Sequence, residues 1–151
     1  MDNLIDKLRE QHWDIISLCF VLEKFCKSGV GDSSDIEKWM EDNQRIVSNL
    51  KKFKTILVSH LGLEDKSLYP VLFKSKDKKT RSKAEKYADE MKLISKRTIS
   101  FFETYEHLKV DELSQNENFK LDLNTVITII RRRIAVEEAE LYPLYPKTVK
   151  K

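Results

Sequence analysis

Only three stretches of this chain are built to turn it, and that scarcity decides what it can fold into. "KSGVGDSS" at 27–34 holds two of the three glycines, "KSKDKKTRSK" at 74–83 is a lysine-rich connector, and "KVDELSQNEN" at 109–118 is polar and turn-like. Between them lie four long amphipathic segments, 3–27, 35–73, 81–109 and 119–145. With so few breakers and so much Lys, Glu, Leu and Ile, helix is favoured over every other element. Ser34 followed by Glu37 reads as a capping box at the head of the second segment. Short connections between long helices make neighbours antiparallel. The expected fold is therefore all-α, a single domain over residues 1–151 forming an up-down-up-down antiparallel four-helix bundle.

Each segment carries a stripe at spacings of three and four. The first is Leu8, His12, Ile15, Cys19, Leu22 and Cys26, and the second Leu50, Phe53, Leu57, His60, Glu64 and Leu68. The third is Ala84, Tyr87, Met91, Ile94, Thr98, Phe101 and Tyr105, and the fourth Val126, Ile130, Arg133, Glu137 and Leu141. Such stripes face the core. One length mismatch stands out, because His12 is 15 residues from the first turn while Ser34 is 26 residues from His60. Adjacent helices rise equally, so a break or an overhanging piece is expected near 41–44.

The stripes are not wholly apolar. His12, His60, Glu64, Arg133 and Glu137 sit on them, and an unpaired buried charge costs several kcal/mol, roughly, even after relaxation. His60 and Glu64, at i and i+4, project together from one helix. The segment that contains them is also repeated: "HLGLEDKSLYPVL" at 60–72 aligns with "RIAVEEAELYPLY" at 133–145. Glu64 falls on Glu137 and Leu-Tyr-Pro on Leu-Tyr-Pro, four identities in 13 positions where composition alone would give about one. His60 falls on Arg133. Imidazole nitrogens and carboxylate oxygens converging from bundle helices make a first shell for iron, manganese or zinc.

"REQHWDII", "HLGLEDKSLYPVL" and "RIAVEEAELYPLY" together resemble the hemerythrin-like, or HHE cation-binding, domains over essentially the whole chain. That resemblance implies a four-helix bundle around a non-haem di-iron centre, bridged by two carboxylates and completed by histidines. It implies binding or sensing of oxygen, nitric oxide or iron. Carried over position by position, His12, His60 and Glu64 match the ligands of the first half and Glu137 the second bridging acid. The second half departs from the pattern. Arg133 replaces a histidine, and the third helix offers Met91, Ile94 and Ser95 where histidines are usual. His107 lies too near the helix end to substitute.

Arginine is a cation with only donors to offer, and its fork matches carboxylates. Arg133 is therefore expected to stand in for the second metal by bridging Glu64 and Glu137. Three states follow: one metal ion, iron or another divalent ion, on His12, His60, Glu64 and Glu137; a metal-free ionic network; or a di-metal site completed elsewhere. The corresponding functions are a small cytosolic, non-enzymatic metal-binding protein with a diatomic ligand, or an interaction module with a protein partner. Bacterial anti-sigma regulators resemble the latter loosely. The formal net charge of +3 and the lack of aromatic residues interleaved in the lysine run speak against nucleic acid, and no apolar run is long enough for a membrane span. Cys19 and Cys26 stand two turns apart and read as reduced core residues. Arg131 and Arg132 read as surface charges, and Tyr69 and Tyr142 as packing at helix ends, the alternative being hydrogen bonds near the site.

Overall fold

The computed structural model describes residues 3–28, 36–109, 112–113 and 116–149. Its helices are α1 (Leu4–Ser28), α2 (Ile36–Leu63), α3 (Tyr69–Phe73), α4 (Lys78–Tyr105), α5 (Glu117–Val136) and α6 (Leu144–Val149). A π-helical turn at Glu64–Leu68 joins α2 to α3, and a second at Glu137–Leu141 follows α5. No strand occurs among the described residues. α1 packs against α2 and α5, and α4 against α3 and α5. Neighbours run antiparallel: Cys26 near the end of α1 reaches the carbonyl of Lys120 near the start of α5, and Arg9 near the start of α1 meets Glu138. The four-helix bundle stands. Among the described residues no helix is long and apolar enough to cross a membrane.

The stripes face inward as their spacing requires. Every stripe residue is buried except Cys26 and Ile94, which are half-buried. Cys19 and Cys26 are free thiols, which burial pushes up to about 12 and about 11 respectively. The capping box at Ser34 lies outside the described residues. At α4, half of the expected lysine-rich connector is helix instead. Asp77 caps that helix, accepting the Lys79 N–H at 3.2 Å and the Thr80 hydroxyl at 3.0 Å, so the helix starts as soon as a cap allows. α2 runs unbroken through 41–44, and the length mismatch is taken up by overhang, not by a break.

Two apolar cores form. Ile15, Leu57, Phe101, Phe119 and Ile134 belong to one, and Leu8, Leu68, Leu72, Leu141 and Tyr142 to the other. Between them in sequence, on three of the four stripes, lie His12, His60 with Glu64, and Arg133 with Glu137. Each fully buried Leu or Phe contributes about 1.5–3 kcal/mol. A buried ion pair adds little over an apolar pair of the same volume. The two apolar cores hold the bundle together. The polar layer between them needs another explanation.

Candidate metal centre

The prolines of the repeat shape this layer. An interior proline removes a helical hydrogen bond and crowds the carbonyl four residues back. Here each helix inserts a π-turn just before its proline, and the Tyr69 and Tyr142 N–H groups bond to the carbonyls of Glu64 and Glu137, five residues back. Pro70 then stands in the first turn of α3, where no N–H is needed. The same turns change which side chains share a face. In an α-helix residues five apart diverge by about 140°. In a π-turn, residue i+5 comes back over residue i. Glu137 and Tyr142 therefore point together into the bundle.

His12 comes from α1, His60 from α2, and Glu137 from the end of α5. His12 Nε2 lies 3.2 Å from His60 Nε2 and 2.9 Å from Glu137 Oε1, and His60 Nε2 lies 3.3 Å from that same oxygen. The Tyr142 hydroxyl joins them, 3.0 Å from His12 Nε2, 3.4 Å from His60 Nε2 and 3.1 Å from Glu137 Oε1. It donates to Glu64 Oε2 at 2.9 Å. The imidazoles are steered from behind. His60 Nδ1 is 2.8 Å from Gln11 Oε1, and His12 Nδ1 faces Glu138 Oε2 at 3.3 Å, out of line for a hydrogen bond. Glu64 stands at the edge of this group, its Oε2 3.5 Å from His60 Nε2, and its Oε1 is buried without a partner.

Arg133 behaves differently from the expectation. Its Nε donates to Glu137 Oε2 at 3.1 Å, but its Nη2 turns to the Tyr69 hydroxyl at 2.7 Å and the Tyr87 carbonyl at 3.0 Å. Glu90 lies 3.8 Å from Nη1. Among the described residues no hydrogen bond joins Arg133 to Glu64, so it clamps one acid and does not bridge two. The reason is competition: a tyrosine and a backbone carbonyl on the facing helices offer closer acceptors. Met91 is buried, while Ile94 and Ser95 are half-buried. His107 is exposed, away from the layer. Arg131 is not a free surface charge but pairs with Glu23.

The tyrosines are the residues that stripe analysis misses. Tyr69 and Tyr142 do not merely pack at helix ends; both are buried and hydrogen-bonded within the polar layer. Each crosses over, Tyr142 of the second copy meeting the two histidines and Tyr69 of the first meeting Arg133. The signal was present in the repeat: a tyrosine five residues after each acid, beside a proline that an α-helix cannot absorb.

The charges are strongly coupled. Burial disfavours ionised Glu137, yet bonds from His12 and His60 and the charge of Arg133 hold it well below the usual carboxylate range. Burial and the neighbouring Glu137 charge push Glu64 up to about 7, against the pull of His60. His60 loses solvation, but Glu137 and Glu64 outweigh that and raise it to about 9. Burial, with Glu137 and Glu64 beside it, keeps Tyr142 protonated far beyond its normal range.

His12, His60 and Glu137 each turn one donor atom toward a common point, and all three are buried. Ligand atoms about 2.0–2.1 Å from one ion stand roughly 2.8–3.4 Å apart, and these three fit that spacing. A helical bundle with such a donor layer belongs to the cation-binding bundles. More narrowly, the family model "Hemerythrin HHE cation binding domain" matches residues 3–145, and the chain belongs to that family. Comparison with curated proteins and with solved structures found no match to either. The second half of the layer does not fit a metal, since a buried arginine head group stands where an imidazole would have to be.

Proposed function

We propose that this protein is a small, non-enzymatic metal-binding protein of the cytosol that holds a single iron ion and binds or senses oxygen, nitric oxide or iron through it. The observation that carries this reading is the convergence of His12 Nε2, His60 Nε2 and Glu137 Oε1 within 3.3 Å of one another. An iron ion bound there supplies an electron-rich centre for a diatomic ligand. The chain's own part is to orient His60 through Gln11, to exclude water with the two apolar cores, and to fix Glu137 with Arg133. Because Arg133 already neutralises Glu137 on its far side, one ion suffices where two would otherwise be needed. Two free thiols, Cys19 buried and Cys26 half-buried, suit a reducing compartment.

A second reading has its own support. Arg133, Tyr69, Tyr142 and both histidines are within hydrogen-bonding reach of one another and of Glu137 or Glu64, a polar network such as a metal-free interaction module would need. Metal analysis of the purified and iron-reconstituted protein separates the two. One iron per chain, lost in His60→Ala, is the expected result, with an absorption band that responds to oxygen or reductant. Two irons per chain would remove Arg133 from its assigned role. No iron, with folding indifferent to chelators, would favour the interaction module.

A further inference from the structure

Resting on the single-metal reading, the geometry points to a tetrahedral set of protein donors whose fourth member is Tyr142, with Glu64 outside the coordination shell, so that a diatomic ligand would have to enter as a fifth donor. The six distances among His12 Nε2, His60 Nε2, Glu137 Oε1 and the Tyr142 hydroxyl all lie between 2.9 and 3.4 Å. Four points all that close to one another are the corners of a nearly regular tetrahedron. An ion about 2.0 Å from four tetrahedral ligands holds them roughly 3.3 Å apart. An octahedron cannot supply the same set. Any four of its corners include a trans pair, roughly 4.2 Å apart for bonds of about 2.1 Å.

Hydrogen bonding alone does not account for the cluster. At most three hydrogens are available to it, one on each Nε2 and one on the phenol, for six contacts. The phenol hydrogen has a near acceptor in Glu64 Oε2 at 2.9 Å. Gln11 Oε1 can only accept, so His60 Nδ1 donates to it, and a neutral His60 then presents its Nε2 lone pair to the centre. Three hydrogens cannot serve six contacts, so some lone pairs of nitrogen, carboxylate and phenol face one another, and a cation at their centre would relieve that. Glu64 occupies the outer position. A metal held here would displace the phenol proton, and Glu64 Oε2, 2.9 Å from that oxygen, with Oε1 buried and without a partner among the described residues, is placed to take it.

Cobalt(II) titrated into the metal-free, full-length protein tests this, because four-coordinate cobalt absorbs visible light far more strongly than six-coordinate cobalt. The expected result is the intense four-coordinate spectrum, saturating at one equivalent. Tyr142→Phe should shift its bands and weaken cobalt binding by at least about tenfold. Tyr105→Phe, at a buried tyrosine of the other core whose hydroxyl bonds Asp122, should keep both spectrum and affinity, and circular dichroism shows whether each variant folds. A weak six-coordinate spectrum, or a Tyr142→Phe titration identical to wild type, overturns the tetrahedral assignment and leaves the single-metal reading standing. No cobalt binding at all overturns both.

Discussion

His60 and Arg133 occupy the same place in the two copies of the repeat, each four residues before an acid and nine before a tyrosine. Around His60 the layer gathers two imidazoles, a carboxylate and a phenol, with no fixed positive charge among them. Around Arg133 it gathers a guanidinium, the other side of that carboxylate, a second phenol and a backbone carbonyl. One half turns three donor atoms toward a common point; the other has a cation tethered by a side chain. The difference teaches that one of two repeated places can carry a permanently protonated, forked cation where the other presents an imidazole.

Three perturbations break or sharpen this contrast. The largest effect is expected for Arg133→Met. It leaves the buried Glu137 without its guanidinium, and the Tyr69 hydroxyl and Tyr87 carbonyl without their donor. Urea denaturation of the metal-free protein should show a loss of about 3–5 kcal/mol. A loss below about 1 kcal/mol would mean that the tethered charge does not balance this half.

The histidine half should respond to pH instead. His60 is raised to about 9 in the folded protein, so its contribution is fully present below its ordinary value and is lost as pH climbs through about 9. Glu64, raised to about 7 by burial, has the opposite relation to a paired acid: it takes stability away as pH rises from the ordinary carboxylate range to about 7. Glu137, held low, contributes above its ordinary value and loses that only in acid. The thermal midpoint of the metal-free protein should therefore decline between pH 5 and pH 9, and His60→Gln should flatten the upper part of that slope. A midpoint that rises across this window would contradict the charge assignments.

The smallest effect concerns the helix that presents His60. Gly62 is exposed in α2, nothing lies within 4 Å of the place a methyl group would take there, and its partner in the repeat is Ala135. Gly62→Ala should stabilise by about 0.5–1 kcal/mol, raising the thermal midpoint by roughly 2–4 °C. No gain would indicate that the first copy needs its glycine to enter the π-turn, which the second copy does not.

Most of the bundle was legible because a stripe needs only spacing. Leu8 to Leu22, Phe53 to Leu68 and Val126 to Leu141 announce their faces without reference to any partner. The polar layer was legible for a related reason: His12, His60, Glu64, Arg133 and Glu137 violate an apolar pattern that the neighbouring turns define. What could not be read were choices made between helices. Whether Arg133 turns to Glu64 or to Tyr69 depends on where the Tyr87 carbonyl lies, and no spacing encodes that. Tyr142 was lost differently, through an assumed period of 3.6 that fails for five residues. Asp77 was overlooked because a lysine-rich run looks like a loop until its cap is noticed.

The two π-turns have a consequence for how such a chain can vary. Each contains one residue more than a regular helix requires, and the surplus lets the backbone pass its proline while acid and tyrosine stay on one side. Deleting any one of residues 65–67 or 138–140 would leave the tyrosine four residues after the acid, still on the same face of an even-pitched helix. It would also set the proline back into an unbroken α-helix, where it crowds a carbonyl and removes a bond. A shortened variant would thus keep its polar interior at a cost in backbone strain, so tolerance to sequence length in these two turns reports on the proline rather than on the side chains that face inward.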